Sequence, residues 1–389
     1  MRMKARAHWI WNSPTWPKLR YDQDLLIEPL GRAREMTGRL RGRADAIGED
    51  ELTLIEGDVW AGDAVATSAI EGEVLDMAVV RSSVASRLGA PPSLMAAAPR
   101  NVEGLLDVMN DAAANWHREL SEERLINWQA ALFPGNRSGL LKIETGSFRT
   151  HGDPMRIVSG PAGREVVHYV APPAAVVRGE MRSFLDWFNG TQDPGAIDGI
   201  LRAGLAHLWF ESIHPFADGN GRVGRAVIDM AISQDMRSAS RLHGISMELR
   251  RRQTEYYAAL NRAQRGDGDA TEWLMWFTGS FAESCRAGIT LIDEAVVRAK
   301  FWNQHRNVEL NARQRKALNR MLAAGPGRFE GGMTPRKYTA LTKAKYLTAN
   351  RDLVDLVAKK LLIREGAGRS TYYNLAIPGW GWVPPSRGR

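Results

Sequence analysis

The 389-residue chain contains a single cysteine, Cys285, so no disulfide can form within it. Chains built for oxidising compartments are usually stapled by paired cysteines, and this absence points to the cytoplasm. No run of about 18 apolar residues occurs, which excludes a membrane-spanning helix. The basic start, Met1 to Arg6, is followed by Asn12, Pro14, Pro17 and Lys18 where a secretory leader requires an apolar stretch. Internal repeats and low-complexity tracts are lacking. So are cysteine ligand pairs and a His-Glu-x-x-His motif, which leaves His207 and His214 as weak support for zinc.

What is present is ordinary globular material, 44% hydrophobic and 25% charged, long enough for two or three domains. Fifty-two Lys and Arg against 44 Asp and Glu leave a formal charge of +8. That excess attracts anions and makes nucleotides, nucleic acids and acidic proteins the candidate partners.

Trp9, Trp11 and Trp16 crowd around Pro14 and Pro17 and read as the core of a small cap, followed by a helix from Leu25 to Leu40. Apolar residues at three- and four-residue intervals from Ala66 to Val84 predict one amphipathic helix over about 63–86, with Gly72 inside it. The segment 87–99 reads as a loop. Helical periodicity returns at 102–109, 125–132, 181–188 and 197–208, with Ser121 as a start signal and Pro134-Gly135 as a stop. Residues 155–158 and 166–170 read as a hairpin. Beyond Trp302, helices around 317–321, from Thr334-Pro335 and over 346–360 precede strands at 362–364 and 370–375, the pattern of a winged helix. The expected domains are 1–45, 46–100, 101–300 and 301–389.

The chemistry gathers in one loop, His214-Pro-Phe-Ala-Asp-Gly-Asn-Gly-Arg222, between two helices. Gly219 and Gly221 let the backbone curl, so that their N–H groups and that of Asn220 converge at a helix N-terminus, a natural phosphate seat. His214 can take a proton from a hydroxyl, Asp218 can hold Mg²⁺, and Arg222 and Arg225 can clamp phosphate oxygens. Taken singly, each residue reads better as a cap, an Asx turn or a solvated cation. Their coincidence within twelve residues points to phosphoryl-type transfer.

This run, with Arg225, closely resembles the motif of the Fic family, and the surrounding stretch from Leu105 to Phe277, including His207 and Glu211, is similar to a Fic core. The resemblance implies a mainly α fold: an all-helical core with a β-hairpin flap that aligns a target segment. Met155, Arg156, Ile157 and Val158 match that flap, and Gly146-Ser147-Phe148-Arg149 also resemble part of it. It further implies His214 as general base, Asp218 as the Mg²⁺ or Mn²⁺ ligand, and Gly219, Asn220, Gly221, Arg222 and Arg225 as nucleotide-binding residues. Gly221, where the kinase-like Doc branch has lysine, favours AMP transfer. Tyr256 and Tyr257 resemble the tyrosines near the adenine, with Tyr257 assigned to nucleotide binding, while Gln264 stands where some relatives have asparagine.

Thr67-Ser68-Ala69-Ile70-Glu71-Gly72 resembles the family's inhibitory motif, in which the glutamate pairs with the second loop arginine, here Arg225. Thr67 and Glu71 lie one helical turn apart. The N-terminal segment resembles an uncharacterised domain that often precedes Fic cores, and the tail resembles the winged helix that often follows them. The implied activity is transfer of AMP from ATP to a Ser, Thr or Tyr hydroxyl of a protein, restrained by Glu71. Two alternatives stand beside it: removal of AMP from a modified protein, and a DNA-binding regulator that uses the core as a nucleotide sensor. The implied partners are ATP, a protein bearing a hydroxyl and, through the tail, DNA; no membrane is expected, and a homodimer is left open.

Overall fold

The computed structural model describes residues 9–384, except 90–97, 139–140, 153, 161–163, 194 and 240. The described chain is mainly helical and divides into two compact units, Met1–Ile289 and Thr290–Arg389.

In the first unit the tryptophans near the start do pack. Trp9 meets Tyr169 edge-on with ring centroids 5.3 Å apart. Trp11 Nε1 donates to the Val170 carbonyl at 2.7 Å, and Trp16 Nε1 to Glu180 at 2.7 Å. Helix α1, Gln23–Ala44, starts where the Asp22 carboxylate accepts the N–H groups of Asp24 and Leu25, and it buries Leu26, Ala33 and Leu40.

Helix α2, Glu49–Ile70, opens with three acidic residues that suit the positive end of its dipole. The continuous helix expected over 63–86 does not form. Glu71 caps α2, Gly72 turns the backbone to φ 82°, and Asp76 caps a new helix, α3, Met77–Arg87. Glycine adopts that left-handed conformation without penalty and so ends the helix, although the apolar period runs on through the break. Arg87 of the expected loop is the last residue of α3, and 90–97 lie outside the described residues.

Helices α4, Arg100–Ala114, and α5, Glu122–Leu132, follow, the latter capped by Ser121. A ribbon of β1, Arg137–Ser138, and β2, Leu141–Lys142, was not foreseen, because two-residue strands are too short to show alternation. The larger hairpin pairs β3, Arg156–Ser159, with β4, Val166–Val170, antiparallel, with an irregular register between Ile157 and Val158. Met155 precedes β3, and its carbonyl accepts the Ala171 N–H at 3.0 Å. Residues 146–149 stand apart from this hairpin.

Helices α6, Ala174–Gly190, α7, Gly199–Ile213, and α8, Asn220–Met236, form the centre of the unit. Every residue of α7 from Ile200 to Ile213 is buried, so this is a helix enclosed on all sides. Helices α9, Ile245–Arg251, α10, Gln253–Gln264, and the first part of α11, Thr271–Gln304, follow. Among the described residues no helix is long and apolar enough to cross a membrane.

The second unit contains α12, Ala312–Ala324, α13, Pro335–Thr342, and α14, Tyr346–Ala358, then β5, Leu362–Glu365, paired antiparallel with β6, Tyr372–Leu375. Its core joins Leu318, Tyr338, Leu353, Leu356 and Leu375. Asn311 and Gln314 form a reciprocal capping box at the start of α12. Strand β6 begins two residues later than expected because Gly368–Ser370 form a 3₁₀ turn. Residues 290–389 carry 19 basic against 7 acidic side chains, a balance of +12, so the preceding 289 residues carry −4.

One buried charge cluster ties α2 to α8 and α9. Asp63 is almost wholly buried and accepts the Met247 N–H at 3.0 Å. Burial pushes its carboxyl up to about 6, against the pull of bonds from residues 246 and 247 and the charge of Arg225. Burial and Asp63 together also push Asp229 of α8 well up. An unfolded aspartate ionises near 4, so between about pH 4 and 6 the folded state holds the extra proton and stability falls as pH rises. Asp63→Asn is therefore expected to be more stable than the parent at pH 7.5, by on the order of 1–3 kcal/mol, with the gain shrinking toward pH 4. Thermal melts across that range check it, and a gain that does not depend on pH overturns it.

Candidate active site

Helix α7 ends at His214, whose backbone is left-handed at φ 51° and ψ 61°. A non-glycine residue pays on the order of 1 kcal/mol for that conformation, so the surroundings must enforce it. Arg149 does so. Its Nε donates to the His214 carbonyl at 2.8 Å, and its Nη2 to the carbonyls of Ile213 at 3.2 Å and Pro172 at 2.6 Å. Its own N–H donates to the Pro215 carbonyl at 2.9 Å. The cation sits at the negative end of the α7 dipole, which offsets part of the burial that pulls its pKa down. Arg149, expected within the flap, is thus a clamp on the loop.

Asn220 holds the other end. Its Oδ1 accepts the Phe216 N–H at 2.8 Å and its Nδ2 donates to the Phe216 carbonyl at 2.9 Å, so the side-chain amide braces the loop. Gly219 has φ 88°, and a Cβ there would meet Phe133 at 2.8 Å. Both its conformation and its surroundings require glycine. Gly221 is different: it lies inside α8 with ordinary helical backbone, and a Cβ would meet Glu71 Oε1 at 2.1 Å. It clears room for Glu71 and, contrary to the expectation that it would curl the loop, has the backbone of the helix itself. Among the described residues no side chain caps the N-terminus of α8, which leaves its first N–H groups open to a ligand.

His214 is largely buried, with Nδ1 3.6 Å from Glu211 Oε2. Among the described residues neither His214 Nδ1 nor Glu211 Oε1 has a hydrogen-bond partner. Burial opposes ionisation of Glu211, but the His214 contact and the charges of His207 and Arg225 hold its carboxyl below the usual range. His207 is buried, which pulls its pKa down, and its Nε2 lies 2.7 Å from the Tyr256 hydroxyl. Gly224 leaves space for this group, since a Cβ would meet Glu211 at 2.5 Å and His207 at 3.2 Å.

Arg225 is fully enclosed. Its Nε donates to Thr67 Oγ1 at 2.6 Å, and its Nη2 to the Thr67 carbonyl at 3.1 Å and Glu71 Oε1 at 2.7 Å. Burial works against the charge, but Glu71, Tyr256 and Glu211 outweigh it and raise the pKa. Arg222 Nη1 pairs with Glu73 Oε2 at 3.1 Å, a contact that no motif announced.

Two cavities flank Glu71. One of about 680 Å³ brings together His214, Glu211, Gly221, Arg225, Tyr257 and the hairpin residues Ile157 and Val158. The other, about 710 Å³, contains Asp218, Arg222 and Glu73. Glu71 borders both. Met155, Arg156, Gly219, Asn220 and Thr67 line neither; the last two act through the loop and Arg225. Tyr257 is half-exposed and bonds the Ile70 carbonyl at 3.2 Å, while Gln264 Nε2 donates to the Glu211 carbonyl at 3.2 Å.

The Fic/DOC family matches residues 119–232, which contain α5, the hairpin, α7 and the loop. Residues 119–232 are a Fic/DOC domain. A domain of unknown function, DUF4172, matches residues 9–90. Protein adenylyltransferase fic-1 of Caenorhabditis briggsae is 27% identical over 204 residues, 52% of this chain and 36% of its own length. Protein adenylyltransferase Fic of Nematostella vectensis is 33% identical over 102 residues, 26% of this chain and 22% of its own. The chain thus spans about a third or less of these curated relatives. A Fic family protein from Desulfovibrio desulfuricans G20 shares the fold, with a TM-score of 0.53 at 20% identity, covering 90% of this chain and 95% of that one.

Proposed function

We propose that the chain is a protein adenylyltransferase held at rest by Glu71. The observation that carries this reading is the convergence of His214, the uncapped start of α8 and the Arg225 guanidinium on one cavity bordered by the hairpin. With Nδ1 turned toward Glu211, His214 presents Nε2 to a Ser, Thr or Tyr hydroxyl of a target segment laid along β3. The hydroxyl oxygen attacks the α-phosphorus of ATP, its proton passes to Nε2, and the bond to the β-phosphate oxygen breaks to release pyrophosphate. Ionised Glu211 faces the imidazolium that results. The base contributes about 10²–10⁴-fold, and positioning with charge stabilisation supplies most of the remainder.

Asp218 fits a divalent cation. One carboxylate oxygen accepts the Gly219 N–H, and the other makes no bond to any described residue. Among the described residues no group of three or more His, Cys, Asp or Glu could hold a metal unaided. A single carboxylate completed by phosphate oxygens and water is the usual donor set for nucleotide-bound Mg²⁺. Bound there, Mg²⁺ or Mn²⁺ would neutralise charge on the phosphates.

The experiment is transfer of label from ATP marked at the α-phosphate, with γ-labelled ATP as the contrast. His214→Ala is expected to lose labelling by about 10²–10⁴-fold while ATP binding, read by calorimetry, persists. Full transfer by the folded variant removes His214 as base, and release of AMP from an adenylylated protein without forward transfer favours the reverse activity.

Glu71 supports a resting state because Arg225 spends its Nη2 on the Glu71 carboxylate and the Thr67 carbonyl, both groups of the chain itself, in place of phosphate. Its carboxylate is a third exposed, so losing the charge-assisted bond costs about 1–3 kcal/mol. Glu71→Gly is expected to raise labelling by at least about tenfold, equivalent to ~1.4 kcal/mol, at that modest cost in stability. Adding Arg225→Ala should cancel the gain. Labelling equal to the parent in Glu71→Gly sinks the restraint.

A second reading concerns residues 290–389, favoured by their balance of +12. Lys343 and Lys345 are exposed at the start of α14, beside exposed Tyr346 and Leu347. We infer that this unit, which resembles a winged helix, contacts duplex DNA phosphates. For the full chain, affinity should fall with salt at a log–log slope of about −0.9 per neutralised phosphate. Lys343→Ala with Lys345→Ala should flatten that slope. Absence of binding at about 50 mM salt overturns the reading.

A further inference from the structure

The cavity beyond Glu71 holds more positive charge than the motif accounts for. Arg222 is nine-tenths buried, its guanidinium 4.7 Å from the centre of the Phe133 ring, and its Nε has no hydrogen-bond partner among the described residues. Its Nη1 is held by Glu73 Oε2 at 3.1 Å, and Glu73 is steadied in turn by Asn101, whose Nδ2 donates to Oε1 at 2.6 Å. Arg100, the first residue of α4, and Arg137, on β1, border the same space and are exposed, and their side chains make no ion pair or hydrogen bond to a described residue. Three guanidinium groups and the carboxylates of Glu71, Glu73 and Asp218 therefore border about 710 Å³.

Arg222 is engaged by Glu73, whereas Arg100 and Arg137 have no anionic partner among the described residues and are open to a ligand of high negative charge. A planar fork that donates in pairs suits phosphate oxygens, and three forks exceed what one phosphate group can engage. Pyrophosphate, with two linked phosphates, matches the number of the donors. The Glu73 carboxylate meanwhile takes the place on Arg222 that an anionic oxygen would take.

We propose that Arg100 and Arg137 are binding residues for the pyrophosphate end of ATP, and that Glu73 is a second carboxylate restraint, acting on Arg222 as Glu71 acts on Arg225. This rests on the adenylyl-transfer reading, in which pyrophosphate is the leaving group. The turn Glu71-Gly72-Glu73 then spends two carboxylates on the two loop arginines, one on each cavity. Nucleotide must displace both before its phosphates are seated.

The test is binding of inorganic pyrophosphate with Mg²⁺ to the full chain by calorimetry, beside adenosine, which has no phosphate. Arg100→Ala and Arg137→Ala should each weaken pyrophosphate by about tenfold, and both together by more, with adenosine affinity and melting temperature unchanged. Glu73→Gln keeps the size of the side chain and an oxygen for Asn101 but loses its charge, and should tighten pyrophosphate by about tenfold. In transfer assays the arginine variants should raise the KM for ATP. Pyrophosphate affinity unmoved in the double arginine variant, or weakened by Glu73→Gln, overturns the proposal. If the parent transfers no AMP yet pyrophosphate binding responds as stated, the binding residues stand and the transfer reading falls. Transfer with unresponsive pyrophosphate binding has the opposite meaning.

Discussion

Arg149 is buried where helix α7 stops, and its guanidinium and N–H groups reach the carbonyls of Ile213, His214, Pro215 and Pro172 together. The last carbonyls of a helix have no partner within it, and a buried cation there must find several acceptors. Each need satisfies the other. The result is a chain forced to turn left-handed at His214, delivering the imidazole into the cavity and aiming the following loop back toward α8. Without that clamp the strained backbone would relax, and neither the histidine nor the uncapped N–H groups of α8 would face a common space.

The second constraint is the break at Gly72. A helix that continued through residue 72 would carry Glu73 onward around its axis. Stopping α2 at Ile70 places Glu71 and Glu73 on one tight turn, where they reach Arg225 and Arg222 separately. Gly221, with no Cβ, leaves the space Glu71 needs. Both loop arginines thus rest on carboxylates of the chain itself, as burial demands, because an enclosed guanidinium cannot remain unpaired.

Burial also sets the roles of the ionisable groups. Glu211 stays ionised in an enclosed place only because His214, His207 and Arg225 surround it, whereas Asp63 and Asp229, facing each other, retain protons to higher pH. The same side chain behaves oppositely according to its neighbours.

Much was legible in the residue order. The loop from His214 to Arg225, its glycines and its mixture of base, carboxylate and arginines are local, and the helices announce themselves through spacing and through caps such as Ser121. Periodicity failed at Gly72 because the apolar pattern persisted across a conformational break, and the Arg137–Lys142 ribbon was too short to leave a pattern at all. The pairing of Glu71 with Arg225 was readable from a familiar motif, but Glu73 with Arg222, 149 residues apart, and Arg149 with His214, 65 apart, were not. A charged side chain chooses its partner by proximity and desolvation, which exist only once distant segments pack. The sequence alone therefore determined which chemical groups the loop holds, while the tertiary structure decided which of them are engaged at rest and by whom, since burial turns weak contacts between exposed charges into obligatory ones.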